Sequence, residues 1–220
     1  MFLDLGERKL DLKQPKIMGV LNMTPDSFSD GGKYLSVDDA FSACVDMVKE
    51  GASVIDIGGE STRPGSAEVS SEQQLDRVIP IILKVKQNLD TIISIDSGDA
   101  AVIKEATDNG AEIVNDVFAL TKKNAINEAS KAHTAVCLMH MKGKPISMQD
   151  KPIYNDLLDE IKPFLDDRVN KCIAAGIKRN SIIIDPGFGF GKTVSDNLIL
   201  LKNLYTFSEL NIPICIGLSR

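Results

Sequence analysis

The sequence predicts an α/β protein, a TIM-type (β/α)8 barrel, on three observations. Short runs rich in Val and Ile alternate with longer stretches of 3.6-residue periodicity, the pattern of parallel strands joined by helices. Seven such runs follow one another with no break in composition that would mark a reversal of strand order, which favours a ring over an open sheet. Several runs are apolar on both faces, as strands covered on both sides must be. Seven is one short of the eight strands of such a barrel, so the eighth strand and the last helices are expected outside these 220 residues.

The predicted strands cover Ile17 to Asn22, Val54 to Gly58, Ile92 to Asp96, Ile113 to Val117, Ala135 to His140, Ile182 to Asp185 and Ile214 to Leu218. The first helix buries Val37, Ala40, Phe41, Cys44, Val45 and Val48, with Ser36 as its N-cap and Gly51 just past its end. A second opens on a capping box of Ser71 and Gln74 and shows an apolar stripe of Leu75, Val78, Ile79, Ile82 and Leu89. Further helices are expected after Asp99, after Thr121, over Tyr154 to Ala175 and from Ser195. Pro163 should stand near the start of the fifth or kink it.

Composition bounds the function. A chain of 220 residues, 43% hydrophobic, fills one large core, so residues 1–220 are read as a single domain. The net charge of -6 argues against general binding of nucleic acid or an anionic membrane. No apolar run approaches the roughly 20 residues that span a bilayer, and charges at Asp4, Glu7, Arg8 and Lys9 do not suit a secretory signal. A soluble, cytoplasmic protein is expected. Cys44, Cys137, Cys172 and Cys215 are far apart and sit in apolar runs, as reduced core residues do. His133 and His140 lack the spacing of a helical metal pair.

Barrel enzymes carry their working residues at the C-terminal ends of strands. Here those ends are polar: Asn22, Glu60 and Thr62, Asp96, Asn115 and Asp116, and Asp185. Any one of these could be a turn or capping residue; together they describe a pocket of amides and carboxylates. Two long loops, MTPDSFSDGG from Met23 and GGESTRPG from Gly58, add Phe28 and Arg63, an aromatic face and a fork that matches carboxylates. DPGFGFGKT from Asp185 is not a phosphate-binding P-loop, because Pro186 stands where that motif needs its first glycine. Its glycines would instead let backbone and Phe190 approach a flat ligand.

The segments VLNMTPDSFSDGG, IDIGGESTRPG, SIDS, NDV, LMHMKG, IIIDPGFGFGKT and IGLSR resemble the dihydropteroate synthase family from Ile17 to Arg220. The resemblance implies condensation of 6-hydroxymethyl-7,8-dihydropterin pyrophosphate with p-aminobenzoate, a transferase reaction of folate biosynthesis and the target of sulfonamides. It implies that Asp96, Asn115 and Asp185 are the catalytic and pterin-edge residues, with Val20, Val117, Met139 and Phe190 against the ring. Phe28, Thr62, Arg63, Pro64, Gly189 and Ser219 would form the p-aminobenzoate pocket when the loops close. Asn22 would hold Mg²⁺, and a homodimer would be the assembly. The family also places a lysine after Ser219 and Arg220 and an Arg-x-His pair on the eighth strand, so the natural chain is expected to continue with them. Two other readings stay open: a methyltetrahydrofolate-dependent methyltransferase domain, which shares the barrel and the pterin-edge positions, and a non-catalytic pterin-binding protein.

Overall fold

The structure, a computed structural model, describes residues 1–24, 36–61, 69–143 and 152–218. It opens on a small antiparallel hairpin of β1 (Phe2–Asp4) and β2 (Lys9–Asp11). A parallel sheet follows in the order β3 (Ile17–Asn22), β4 (Ala52–Gly58), β5 (Ile92–Asp96), β6 (Ile113–Asp116), β7 (Ala135–Met139) and β8 (Ile182–Asp185). The strands alternate with α1 (Val37–Lys49), α2 (Ser71–Asn88), α3 (Ala100–Asp108), α4 (Ala125–Ala132), α5 (Leu157–Ala174) and α6 (Val194–Lys202). Strand order equals chain order throughout, which is the topology of a barrel wall.

Alternation along each strand separates two cores. Outward residues such as Leu21, Ile55, Ile57, Ile93, Ile95, Val114, Val136 and Ile184 join the helices in the larger one. Inward residues Val54, Ile92, Ile113, Ala135, Cys137 and Ile183 form the smaller one with Leu3 and Leu5 of the hairpin region. Two leucines reach residues of five consecutive strands because the sheet curls around them. Arg8 fixes this plug from below, donating to Glu112 at 2.5 Å and to the Thr91 carbonyl at 2.6 Å.

The six central strands match the predicted ones to within two residues at their ends. The expected seventh strand does not form a ladder among the described residues. Its contact is one parallel bridge, Ile184 to Ile214, made by the Pro213 carbonyl and the Cys215 N–H. Pro213 has no N–H to give, and Ile216 and Leu218 are exposed. The hairpin was not predicted, because three-residue strands are too short to show a period.

The capping box belongs to Ser70 and Gln73, one residue earlier than expected. Gln74 is instead buried, accepting from the Ser97 hydroxyl at 3.0 Å and donating to the Val69 carbonyl at 3.1 Å. Pro163 lies inside α5, which runs on past it. The fourth and sixth helices start at Ala125 and Val194, with Thr193 capping the latter. Cys44, Cys137 and Cys172 are buried and all four cysteines are free thiols.

Candidate active site

The register of the sheet builds one row across four strands: Asn22 pairs with Gly58, Gly58 with Asp96, and Asp96 with Asn115. Around the wall, Met139 pairs with Asp185. These positions share the inward face and the C-terminal rim, so Asn22, Asp96, Asn115 and Asp185 gather at one mouth. Gly58 makes room for this: a Cβ there would lie 3.3 Å from Asn22 Oδ1 and 3.5 Å from Asp96 Oδ2.

The mouth is lined by carboxyls that resist ionisation. Burial pushes Asp185 up to about 6, against the Gly187 N–H, which donates to its Oδ1 at 2.7 Å, and the charge of Lys192. Burial also raises Asp96 well above the usual carboxylate range, and Asp56, Asp116 and Glu60 raise it further by like charge. Asn115 donates from Nδ2 to Asp56 Oδ2 at 2.9 Å. The site therefore offers a flat ligand carboxyl groups whose ionised, acceptor form is disfavoured in the free protein, beside an amide held in one orientation.

The other predicted residues fall into three groups. Met139 and Val117 are buried at the rim, Phe190 and Gly189 are partly exposed on the loop after β8, and Val20 faces inward from β3 with 55% of its surface exposed. Phe28, Thr62, Arg63, Pro64 and Ser219 lie outside the described residues. Asp116 and Glu60 are not free pocket groups. Asp116 accepts from the N–H groups of Phe118 and Leu120 at 2.8 and 2.7 Å, and Glu60 accepts from the Val69 N–H at 3.0 Å. Both are loop-bracing residues, the alternative that any single polar strand end carries.

Two residues of the site were missed. Asp56 sits in the middle of a buried strand, where a sequence gives no sign of which face it occupies. Lys192 stands in the sequence after a glycine-rich run, with nothing to mark it as buried. It is buried, and its Nζ lies 2.8 Å from the Gly187 carbonyl, 3.1 Å from that of Phe190, 3.2 Å from that of His140 and 3.1 Å from His140 Nδ1. Burial pushes this ammonium down to about 7, while Asp185 and Asp196 pull it up. His140 is pushed down to about 3 by burial and then by Lys192, whose Nζ is in hydrogen-bond contact with its Nδ1. Lys192 thus ties the loop 186–191 to the end of β7.

That loop also needs its glycines. Gly187 has φ of +72°, and a Cβ on it would fall 2.0 Å from the His140 carbonyl oxygen; at Gly191 the corresponding distance to the Lys142 carbonyl oxygen is 2.2 Å. The two glycines let the backbone lie against β7 and its extension, which leaves Asp185 at the rim.

A cavity of about 660 Å³ lies at the opposite end, between the starts of β3, β4, β6 and β8 and the segment 213–216. Its lining is mainly apolar, with Leu3, Leu10, Met18, Ile183 and Ile214, and Gln14 and Lys16 are its polar members. The barrel rule places working residues at the other rim, where Asn22, Asp96, Asn115 and Asp185 gather.

A family model described as "Pterin binding enzyme" matches residues 18–220. The dihydropteroate synthase of Haemophilus influenzae is 46% identical over 220 residues, covering 100% of this chain and 80% of the relative. The chain belongs to the dihydropteroate synthase family of pterin-binding enzymes. The Escherichia coli K12 dihydropteroate synthase is 45% identical over 211 residues, or 96% of this chain and 75% of its own length. Among solved structures, the Yersinia pestis dihydropteroate synthase in a sulfonamide drug complex superposes with a TM-score of 0.95 at 45% identity, covering 100% of this chain and 80% of that one. The Xanthomonas albilineans dihydropteroate synthase in complex with 7,8-dihydropteroate gives 0.87 at 37% identity, covering 100% and 78%. The activity that goes with the family is that of a dihydropteroate synthase, a transferase, and the fold is the TIM-type barrel.

Proposed function

We propose that the rim of this barrel grips the edge of 6-hydroxymethyl-7,8-dihydropterin pyrophosphate through Asp185, Asn115 and Asp96, and directs its methylene carbon toward the amine of p-aminobenzoate. The observation that carries this reading is the convergence of these three side chains at one mouth. A pterin edge presents ring N–H and exocyclic amino donors side by side, which one carboxylate accepts together. Asp185 has the matching acceptors, and the Gly187 N–H occupies one lone pair of Oδ1 without closing the group off.

Departure of pyrophosphate leaves the pterin electron-poor. Asp96 and Asp185 are placed to stabilise positive charge there, and the burial that hinders the ionisation of both, with like-charge crowding at Asp96, is offset as that charge develops. The named relatives are synthases, and one of their structures holds 4-aminobenzoic acid, which favours condensation over methyl transfer or binding alone. Phe28, Thr62, Arg63, Pro64, Gly189, Phe190 and Ser219 are proposed for p-aminobenzoate and for sulfonamides that copy it.

The donor set at Asn22 fits Mg²⁺ as a partner of pyrophosphate. Its amide oxygen is a hard donor, but no cluster of three or more metal-ligating side chains accompanies it among the described residues. Mg²⁺ bound there with pyrophosphate would neutralise the leaving group. Titration calorimetry should then show Mg²⁺ uptake with pyrophosphate present and at least about tenfold weaker uptake without it; tight binding to ligand-free protein would count against Asn22. A homodimer and a cytoplasmic location complete the proposal. No helix of the described residues is long and apolar enough to cross a membrane.

The test of the reaction is pyrophosphate release by the full-length protein. Release should depend on p-aminobenzoate and fall by about a hundredfold or more in Asp185→Ala. Release that ignored p-aminobenzoate would contradict the proposal.

A further inference from the structure

Asp56 lies on the inward face of β4, two residues before the rim, with 3% of its surface exposed. Its register neighbours are Val20 and Ser94. Burial raises Asp56 above the usual carboxylate range; its Oδ2 accepts from Asn115 Nδ2 at 2.9 Å, and that bond and the Ser94 hydroxyl beside it offset part of the burial. No cation among the described residues pairs with it. Stability does not account for a carboxylate here. The inward positions beneath it hold Val54, Ile92 and Ile113, and an apolar residue in the same place would avoid the cost of burying an acid without a counter-ion.

What a carboxylate does at this point is choose an orientation for its neighbour. The two ends of a side-chain amide are nearly the same shape and opposite in hydrogen-bonding sense, so a free amide can present either pattern to a ligand. A carboxylate only accepts. It takes the Nδ2 end of Asn115 and leaves Oδ1, with the second Nδ2 hydrogen, for whatever enters the mouth.

We propose that Asp56 is a positioning residue for pterin recognition, holding the Asn115 amide in the single orientation that presents its oxygen to the ligand. The inference rests on the reading that Asn115 grips the pterin. It assigns Asp56 no contact with the substrate. Its effect passes through Asn115, so removing Asp56 should cost nothing further once Asn115 is gone.

The experiment is a double-mutant cycle on the full-length protein, with 6-hydroxymethylpterin binding measured by calorimetry and kcat and KM measured alongside. Asp56→Ala and Asn115→Ala should each weaken binding by about tenfold or more, and the double variant should be no weaker than Asn115→Ala within about threefold. Asp56→Asn, whose amide can turn either end to Asn115, should bind pterin about threefold or more weakly than wild type. KM for the pterin substrate should rise more than kcat falls in Asp56→Ala. Asp56→Ser, too short to reach Nδ2, repeats the alanine arm if that variant does not fold. Additive losses, or an Asp56→Asn variant that binds as tightly as wild type, would overturn the inference and leave the site intact. Wild-type protein that bound no pterin would instead remove the underlying reading.

Discussion

At the scale of single residues, the site trades stability for recognition. Asp185 is raised from 3.8 to about 6 by burial, so the folded state favours its neutral form. Its contribution to stability is complete below pH 4 and is lost as pH rises through about 6. At about 1.4 kcal/mol per unit, the ionised group costs the ligand-free protein up to about 3 kcal/mol at pH 7. Asp185→Asn keeps an acceptor for the Gly187 N–H and removes that cost. We expect it to be more stable than wild type by about 1 to 3 kcal/mol at pH 7 in urea denaturation, with the gain gone at pH 4, while pterin binding falls. A variant no more stable at pH 7 would show that the carboxylate is not strained by burial.

The same scale explains what the sequence could reveal of the site. Asn22, Asp96, Asn115 and Asp185 were legible because each closes an apolar run, where a polar residue stands out and the barrel rule gives it a place. Asp116 and Glu60 stood out equally and proved to brace loops, since a strand end does not disclose which face its last residue takes. Asp56 was hidden inside its strand, and its importance came from a partner 59 positions away.

At the scale of elements, the loop after β8 is held by a buried lysine. Lys192 donates into three backbone carbonyls and contacts His140, and in Lys192→Met those oxygens lose this donor, the Gly187 carbonyl keeping the Phe190 N–H. We expect Lys192→Met to destabilise the fold by about 2 to 4 kcal/mol in urea denaturation and to weaken pterin binding, because Asp185 starts the same loop. An unchanged midpoint would mean that the glycine-permitted packing of the loop suffices without the lysine. The sequence hid this arrangement, since a lysine after glycine is by default a solvated surface residue. The helices were easier. Their caps and stripes are local, and the misplaced capping box at Ser70 shows the limit: two serines in succession offer the same side chain, and packing of Gln74 against Ser97 decides between them.

At the scale of the whole molecule, the barrel wall follows from strands apolar on both faces, and one end of it is filled by the hairpin that carries Leu3 and Leu5. That plug leaves the C-terminal rim as the polar end, so the fold sets the site's location before any particular side chain sets its chemistry. The hairpin escaped the sequence because its role depends on residues of five distant strands.

The central claim is that one flat heterocycle meets Asp96, Asn115 and Asp185 together, and a crystal structure of the full-length protein with 6-hydroxymethylpterin tests it most directly. The account predicts the ring at the rim, with two neighbouring ring donors within about 3 Å of the Asp185 carboxylate and Asn115 Oδ1 also in hydrogen-bond contact. A pterin bound elsewhere, or one at the rim that leaves Asp185 untouched, would contradict it.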